Sequence, residues 1–145
     1  MKVKECMCKE VESINPNTSI KECAKIMSDN HIGCVPVCNE QKKVVGIITD
    51  RDLLLRAVAC DKDINTTKAS DIMTCNVYCC SSDTDVKEAE NIMSTEKIRR
   101  IPIVDNNKIV GILTLGDISQ ASDINKNDVC TTLKDICSNQ TKNAE

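Results

Sequence analysis

Apolar residues recur along the chain at two periods, and the change from one to the other marks out the elements. Ile20, Cys23 and Met27, and again Val86, Ala89 and Met93, stand at i, i+3 and i+7, a spacing that puts three side chains on one helix face. Ahead of them, Ser19 with Glu22 and Asp85 with Glu88 fit the N-cap and N3 positions of a capping box. Short, largely β-branched runs follow, Cys34 to Cys38 and Arg100 to Val104, then Val44 to Ile48 and Ile109 to Leu113. The polar turns between them, 39–42 and 105–107, are short enough to predict antiparallel hairpins. Pro36 and Pro102 cannot donate to a ladder, which places them at a strand start or an edge. Thr49 and Thr114 then fit the N-cap of a further helix, continued by Leu53, Leu54, Ala57 and Val58 in the first case and begun by Asp117 and Ile118 in the second. Val77 to Cys80 reads as an additional strand. After the polar stretch 119–128, Val129, Leu133, Ile136 and Cys137 return to helical spacing and predict a short C-terminal helix on the module or on a partner subunit. Ser138 to Glu145 is polar and expected to fray.

The elements occur twice because the chain is an internal repeat. An offset of 66 aligns Met7, Thr18, Ile26, Met27 and Pro36 with Met73, Thr84, Ile92, Met93 and Pro102. One deletion in the hairpin turn changes the offset to 65 and aligns Gly46, Thr49 and Asp52 with Gly111, Thr114 and Asp117. Each copy is a β-α-β-β-α unit that would leave apolar sheet surface wet if alone. The expected fold class is therefore α+β, two pseudo-symmetric copies packed sheet to sheet about a pseudo-two-fold axis. Expected boundaries are 1–66 and 67–122 for the copies and 123–145 for the C-terminal helix and tail.

Composition narrows the choice of chemistry. With no Phe or Trp and one Tyr, the core must be built from Ile, Val, Leu, Met, Ala and Cys. A net charge of -3, with basic residues scattered, gives no reason to expect nucleic acid or an anionic membrane as a partner. The N-terminus lacks the apolar stretch of a signal peptide and no window approaches a spanning helix, so a cytoplasmic protein is expected. Eleven cysteines could suit the disulfide framework of a secreted mini-domain, but no export signal is expected, the count is odd, and the apolar repeats can form a core without staples. Cys6-x-Cys8, Cys34-x3-Cys38, Cys75-x3-Cys79 and adjacent Cys79-Cys80 include no Cys-x2-Cys pair, and the cysteines do not recur between copies. They read as small hydrophobes or Ser/Thr substitutes in preference to metal or redox centres.

Thr49-x-x-Asp52 and Thr114-x-x-Asp117, each fed by a strand, carry the candidate chemistry. A helix start offers N–H groups and a positive dipole end to phosphate, the Thr hydroxyl adds a donor, and a carboxylate one turn in can accept from both ribose hydroxyls. Capping accounts for one isolated copy; recurrence at the same architectural position shifts the balance toward a ligand, while passive duplication of a cap stays open as the alternative. Catalysis is not expected. The single His, His31, aligns with Lys97 at the end of a helix pattern, no P-loop lysine occurs, and Asp50 and Asp52 do not share a face.

The run Met27-x4-Ile32-Gly33-Cys34-Val35-Pro36-Val37, followed by Val45-Gly46-Ile47-Ile48-Thr49-Asp50-Arg51-Asp52, resembles a CBS domain. So does Met93-x4-Ile98-Arg99-Arg100-Ile101-Pro102-Ile103-Val104-Asp105 with Val110-Gly111-Ile112-Leu113-Thr114-Leu115-Gly116-Asp117. Together they resemble a tandem CBS pair, or Bateman module, over roughly residues 3 to 120. The resemblance implies a non-enzymatic regulatory module, with no covalent cofactor, that senses AMP, ADP or ATP in clefts between paired repeats, or in some members S-adenosylmethionine. It implies that Thr49 and Thr114 contact phosphate and that Asp52 and Asp117 hold ribose. Asn76, Val77 and Tyr78 would line the adenine pocket, with Ile112 as an apolar wall. Basic phosphate ligands would come from Arg99 and Arg100 in the second copy, where the first has Gly33 and Cys34, with Arg51 the nearest substitute. A charge-assisted hydrogen bond is worth roughly 1.5 to 3 kcal/mol, so the second copy is expected to bind more tightly. A homodimer and a separate regulated protein are implied partners. The competing readings are a structural dimerisation module with empty clefts and a redox- or metal-responsive protein.

Overall fold

The computed structural model describes residues 1–121 and 125–143. The expected end of the second copy at 122 and the last two residues of the polar tail lie outside the described residues. Two compact units form, Val11–Val77 and a second made of Met1–Glu10 with Tyr78–Glu145. Repeat and compact unit are thus different partitions of the chain.

In Val11–Val77, helix α1 (Ile20–Asn30) starts at Ser19, whose hydroxyl accepts the Glu22 N–H at 3.2 Å. Ile20, Cys23 and Met27 are its buried face, as the periodicity predicts, against Val35, Val37 and Ile48. The helix stops where His31 takes a left-handed conformation, φ 53°, on the surface. Strands β1 (Cys34–Cys38) and β2 (Val44–Thr49) then form the antiparallel hairpin, with Cys34 opposite Thr49. Helix α2 (Asp50–Asp52) leads into a π-helical run, Leu53–Val58, where an α-helix was expected. Its wider turn ends with the Ala59 N–H on the Leu54 carbonyl. Ala57 is buried and Leu53 half-buried, whereas Leu54 and Val58 face outward. A short α3 (Ala69–Ile72) completes this unit.

The second unit repeats the plan with α4 (Val86–Glu96), β3 (Arg100–Asp105), β4 (Lys108–Thr114) and α5 (Leu115–Gln120). Asn106 and Asn107, both at positive φ, make the tight turn joining Asp105 to Lys108. At the start of α4, Asp85 accepts the Lys87 N–H at 2.9 Å; the expected Asp85–Glu88 box does not form.

The extra strand expected over Val77 to Cys80 is a single bridge, Cys80 to Ile103, matched in the other unit by Ile14 to Val37. Proline explains why it stops there. The Pro36 and Pro102 carbonyls accept from Ile14 and Cys80. Their nitrogens point the same way, so continuing the parallel ladder backwards would need an N–H that proline lacks. Each proline lies inside its strand with its nitrogen turned from the hairpin partner.

Contacts between the copies run through their leads. Cys8 of the first copy bridges Ile112 of the second, and the equivalent Thr74 of the second bridges Ile47 of the first. Helix α6 (Lys126–Asn143) packs on α4. It corrects two expectations: it continues past Ser138 instead of fraying there, and among its described side chains the buried ones are Thr132 and Ile136, leaving Leu133 and Cys137 exposed.

Candidate functional site

Thr49 and Thr114 end β2 and β4 and cap α2 and α5. The Thr114 hydroxyl accepts the Asp117 N–H at 3.0 Å while Asp117 Oδ2 accepts the Thr114 N–H at 3.0 Å. Thr49 and Asp52 repeat this at 3.1 and 3.0 Å. Both motifs are closed capping boxes, so their first role is structural. What remains for a ligand is the hydroxyl proton of each Thr and the second carboxylate oxygen of each Asp.

In those remaining groups the copies diverge. Asp52 Oδ1 faces the Arg56 guanidinium at 3.8 Å, and Arg56 also donates to the Ile72 carbonyl at 3.0 Å. The Asp50 carboxylate accepts the Arg51 N–H at 2.9 Å. The second copy has Leu115 in place of Asp50 and Ala121 in place of Arg56. Accordingly, among the described residues, neither Asp117 Oδ1 nor the Gly116 N–H has a hydrogen-bond partner. The first copy fills its helix start with its own side chains; the second leaves it open.

Hairpin register then decides which residues meet. Arg100 lies opposite Thr114 across β3 and β4, and the Arg99 carbonyl accepts the Leu115 N–H at 2.9 Å. Arg99, Arg100 and Thr114 consequently share a cleft of about 430 Å³ with Leu115, Gly116 and Ser119 of α5. Val129 and Leu133 of α6 form its other wall. Sequence reasoning missed both wall residues, because their helical spacing alone did not show what they would face.

Asp117 opens instead on a neighbouring hollow of about 360 Å³ lined by Met1, Glu5, Cys6, Gln120 and Ala121. There burial, and then the charges of Asp117 and Glu5, push the Cys6 thiol pKa up, which keeps it a thiol. Ile112 is half-buried and bonded through its backbone to Cys8 at 2.9 and 3.0 Å. Tyr78 is in the same unit and partly exposed. Asn76, Val77, Thr49, Arg51 and Asp52 belong to the unit Val11–Val77, with Arg51 exposed. Among the described residues no group of three His, Cys, Asp or Glu side chains is placed to hold a metal ion. None of the described helices is long and apolar enough to cross a membrane.

Comparison with known proteins adds four findings. The profile described as CBS domain matches residues 3–59 and 69–123. The CBS domain-containing protein YhcV of Bacillus subtilis (strain 168) is 37% identical over 117 residues, 81% of this chain and 82% of YhcV. Among solved structures, the CBS domain pair of protein MJ0100, in complex with 5-methylthioadenosine and S-adenosyl-L-methionine, is 36% identical with a TM-score of 0.75, covering 83% of this chain and 98% of that one. Hypoxic Response Protein I, crystallised with two coordinated zinc ions, has a TM-score of 0.77 at 26% identity over 83% of this chain and 98% of its own.

Proposed function

The chain belongs to the CBS domain family, with two copies of the domain in tandem, and from that premise we propose that it senses AMP, ADP or ATP, chiefly through its second copy. Pair modules of this family are regulatory ligand-binding domains. The observation that carries the finer reading is the single cleft lined by Arg99, Arg100, Thr114 and Gly116. Two guanidinium groups, a hydroxyl proton and a backbone N–H are the donor set that a phosphate takes. Asp117 Oδ1 is left to accept ribose hydroxyls, and Tyr78 and Ile112 are the base contacts we propose. In the first copy Asp50 and Arg56 already occupy the equivalent groups, so Thr49, Arg51 and Asp52 form the weaker site.

That MJ0100 holds two adenosyl compounds supports an adenosine ligand here. The arginine pair favours a phosphorylated one, because methylthioadenosine would leave both guanidinium groups without an anion. The nucleotide acts by binding one conformation better than another, and so alters a second protein or the assembly of this one. A homodimer fits the exposed Leu54, Leu55 and Val58, which a second copy would cover; light scattering should then give twice the 16.0 kDa of the chain. We place the protein in the cytoplasm, a compartment that suits cysteines with no disulfide among the described residues.

Calorimetry and thermal shift with AMP, ADP, ATP and S-adenosylmethionine test the reading. One nucleotide should bind per chain with the higher affinity, and at a hundred times its dissociation constant should stabilise by about 2.7 kcal/mol. Replacing Arg99 and Arg100 together by Ala should weaken binding roughly tenfold or more. No heat and no shift with any of the four up to millimolar concentration would leave the structural dimerisation module as the better account.

A further inference from the structure

Helix α6 stands outside both CBS repeats yet supplies one wall of the arginine cleft through Val129 and Leu133. Leu133 is 42% exposed, an apolar side chain at the rim of a cleft whose other side is cationic. Three further contacts tie α6 to α4. Ile136 is fully buried in the unit's core, the Ser94 hydroxyl donates to the Asp135 carboxylate, and Lys87 reaches Asp128 at 3.8 Å from a largely exposed position. Between Lys87 and Ser94 on the same face of α4 lies Glu90. It is buried at 6% exposure, and its Oε1 has no hydrogen-bond partner among the described residues. Docking α6 therefore covers a carboxyl group that it does not satisfy, and this unpaired group opposes the apolar contacts that hold the helix down.

We propose that α6 is a strap coupled to the cleft: an anionic ligand held by Arg99 and Arg100 completes the contact surface of Val129 and Leu133 and fastens α6 on α4, and the docked helix is the form read by the regulated protein. The proposal rests on the nucleotide-sensing reading above. Coupling of this kind is reciprocal, so whatever fastens the strap must also tighten the ligand. Leu133 acts on affinity by direct contact. Glu90, which does not line the cleft, acts on it only through the docking equilibrium of α6.

The test uses the full chain with ATP as the probe, in three forms: wild type, Leu133→Ser and Glu90→Gln. Calorimetry gives affinity, and hydrogen exchange read by mass spectrometry gives docking of the α6 amides from 129 to 138. ATP should slow exchange across that stretch about fivefold or more. Leu133→Ser should weaken ATP roughly tenfold while leaving the thermal midpoint of the free protein in place, since the side chain is half in water. Glu90→Gln should slow α6 exchange without ligand and tighten ATP by about fivefold. ATP binding with unchanged α6 exchange, or with both variants at wild-type affinity, would overturn the strap and leave the sensor standing. Failure of the wild type to bind ATP, ADP or AMP would overturn both.

Discussion

The Met73 side chain fills the space that a side chain on Gly46 would need: a Cβ there would meet Met73 Cγ at 2.8 Å. The repeat reproduces the contact with its partners exchanged, Met7 Sδ standing 2.6 Å from the equivalent point on Gly111. Each methionine sits on the lead of one copy and each glycine in the hairpin of the other. The glycines thus admit the exchanged lead.

The two glycines should differ in tolerance. At Gly46 the close neighbours are all atoms of the Met73 side chain, which can turn aside; at Gly111 the Cys8 carbonyl also lies 2.9 Å away and cannot. Gly46→Ala should cost about 1 kcal/mol and be largely relieved by Met73→Ala, whereas Gly111→Ala should cost about 2 to 3 kcal/mol and gain little from Met7→Ala. Urea unfolding of the four single and two double variants measures this, and equal relief at both sites would contradict the backbone clash.

Glu90 makes stability depend on pH in a definite direction. Burial first, and then the Asp128 charge from α6, raise its pKa, with Lys87 opposing from its own helix. A carboxyl group whose folded pKa lies above its unfolded value is stabilising when protonated, and that contribution is lost as pH rises through the folded pKa. Glu90→Gln should therefore raise stability at pH 7 by about 1 kcal/mol, or roughly 2 to 4 °C in thermal midpoint, and should give no gain near pH 4. A gain that is the same at both pH values would show that ionisation is not its source.

The parts of the fold fixed by local periods were legible in the sequence. Ile20, Cys23 and Met27 are buried on α1, and Val86, Ala89 and Met93 on α4, because a helix face depends only on residues a few positions apart. Arg99, Arg100 and Thr114 were foreseeable as neighbours for a related reason: a short hairpin sets its own register. Non-local choices were not legible. Met7 and Met73, like Gly46 and Gly111, stand out in the repeat, yet nothing in it says that each lead crosses to the other hairpin. On α6, Leu133 and Thr132 are adjacent, and apolarity pointed to the wrong one. Thr132 can be buried because its hydroxyl donates to the Asp128 carbonyl at 2.9 Å within the helix, leaving Leu133 to face the cleft.

The cysteines should separate by burial. Cys23 is fully buried, and burial pushes its pKa up to about 11, so almost no thiolate is present at pH 7.5. Cys60 and Cys75 are exposed. Iodoacetamide applied to native protein should modify Cys60 and Cys75 within minutes and reach Cys23 only after denaturant is added, with peptide mass spectrometry as the readout. Early labelling of Cys23 would mean that α1 opens from its core on that timescale.

Asp52 and Asp117 have the same cap geometry but different surroundings, and this allows structure and ligand binding to be separated. Both lose a capping box when changed to Ala, at a cost of about 1 kcal/mol each. Asp52→Ala also releases Arg56, but that ion pair is long and its arginine half exposed, so the added loss should be below about 1 kcal/mol. The two variants should therefore unfold at similar temperatures without ligand. With saturating ATP they should part. Asp52→Ala keeps the stabilisation seen in wild type, because its carboxylate was committed to Thr49 and Arg56; Asp117→Ala loses it, because Asp117 Oδ1 was the acceptor left open. Equal loss in both would mean that the copies bind alike and that the filled helix start of the first yields to ligand.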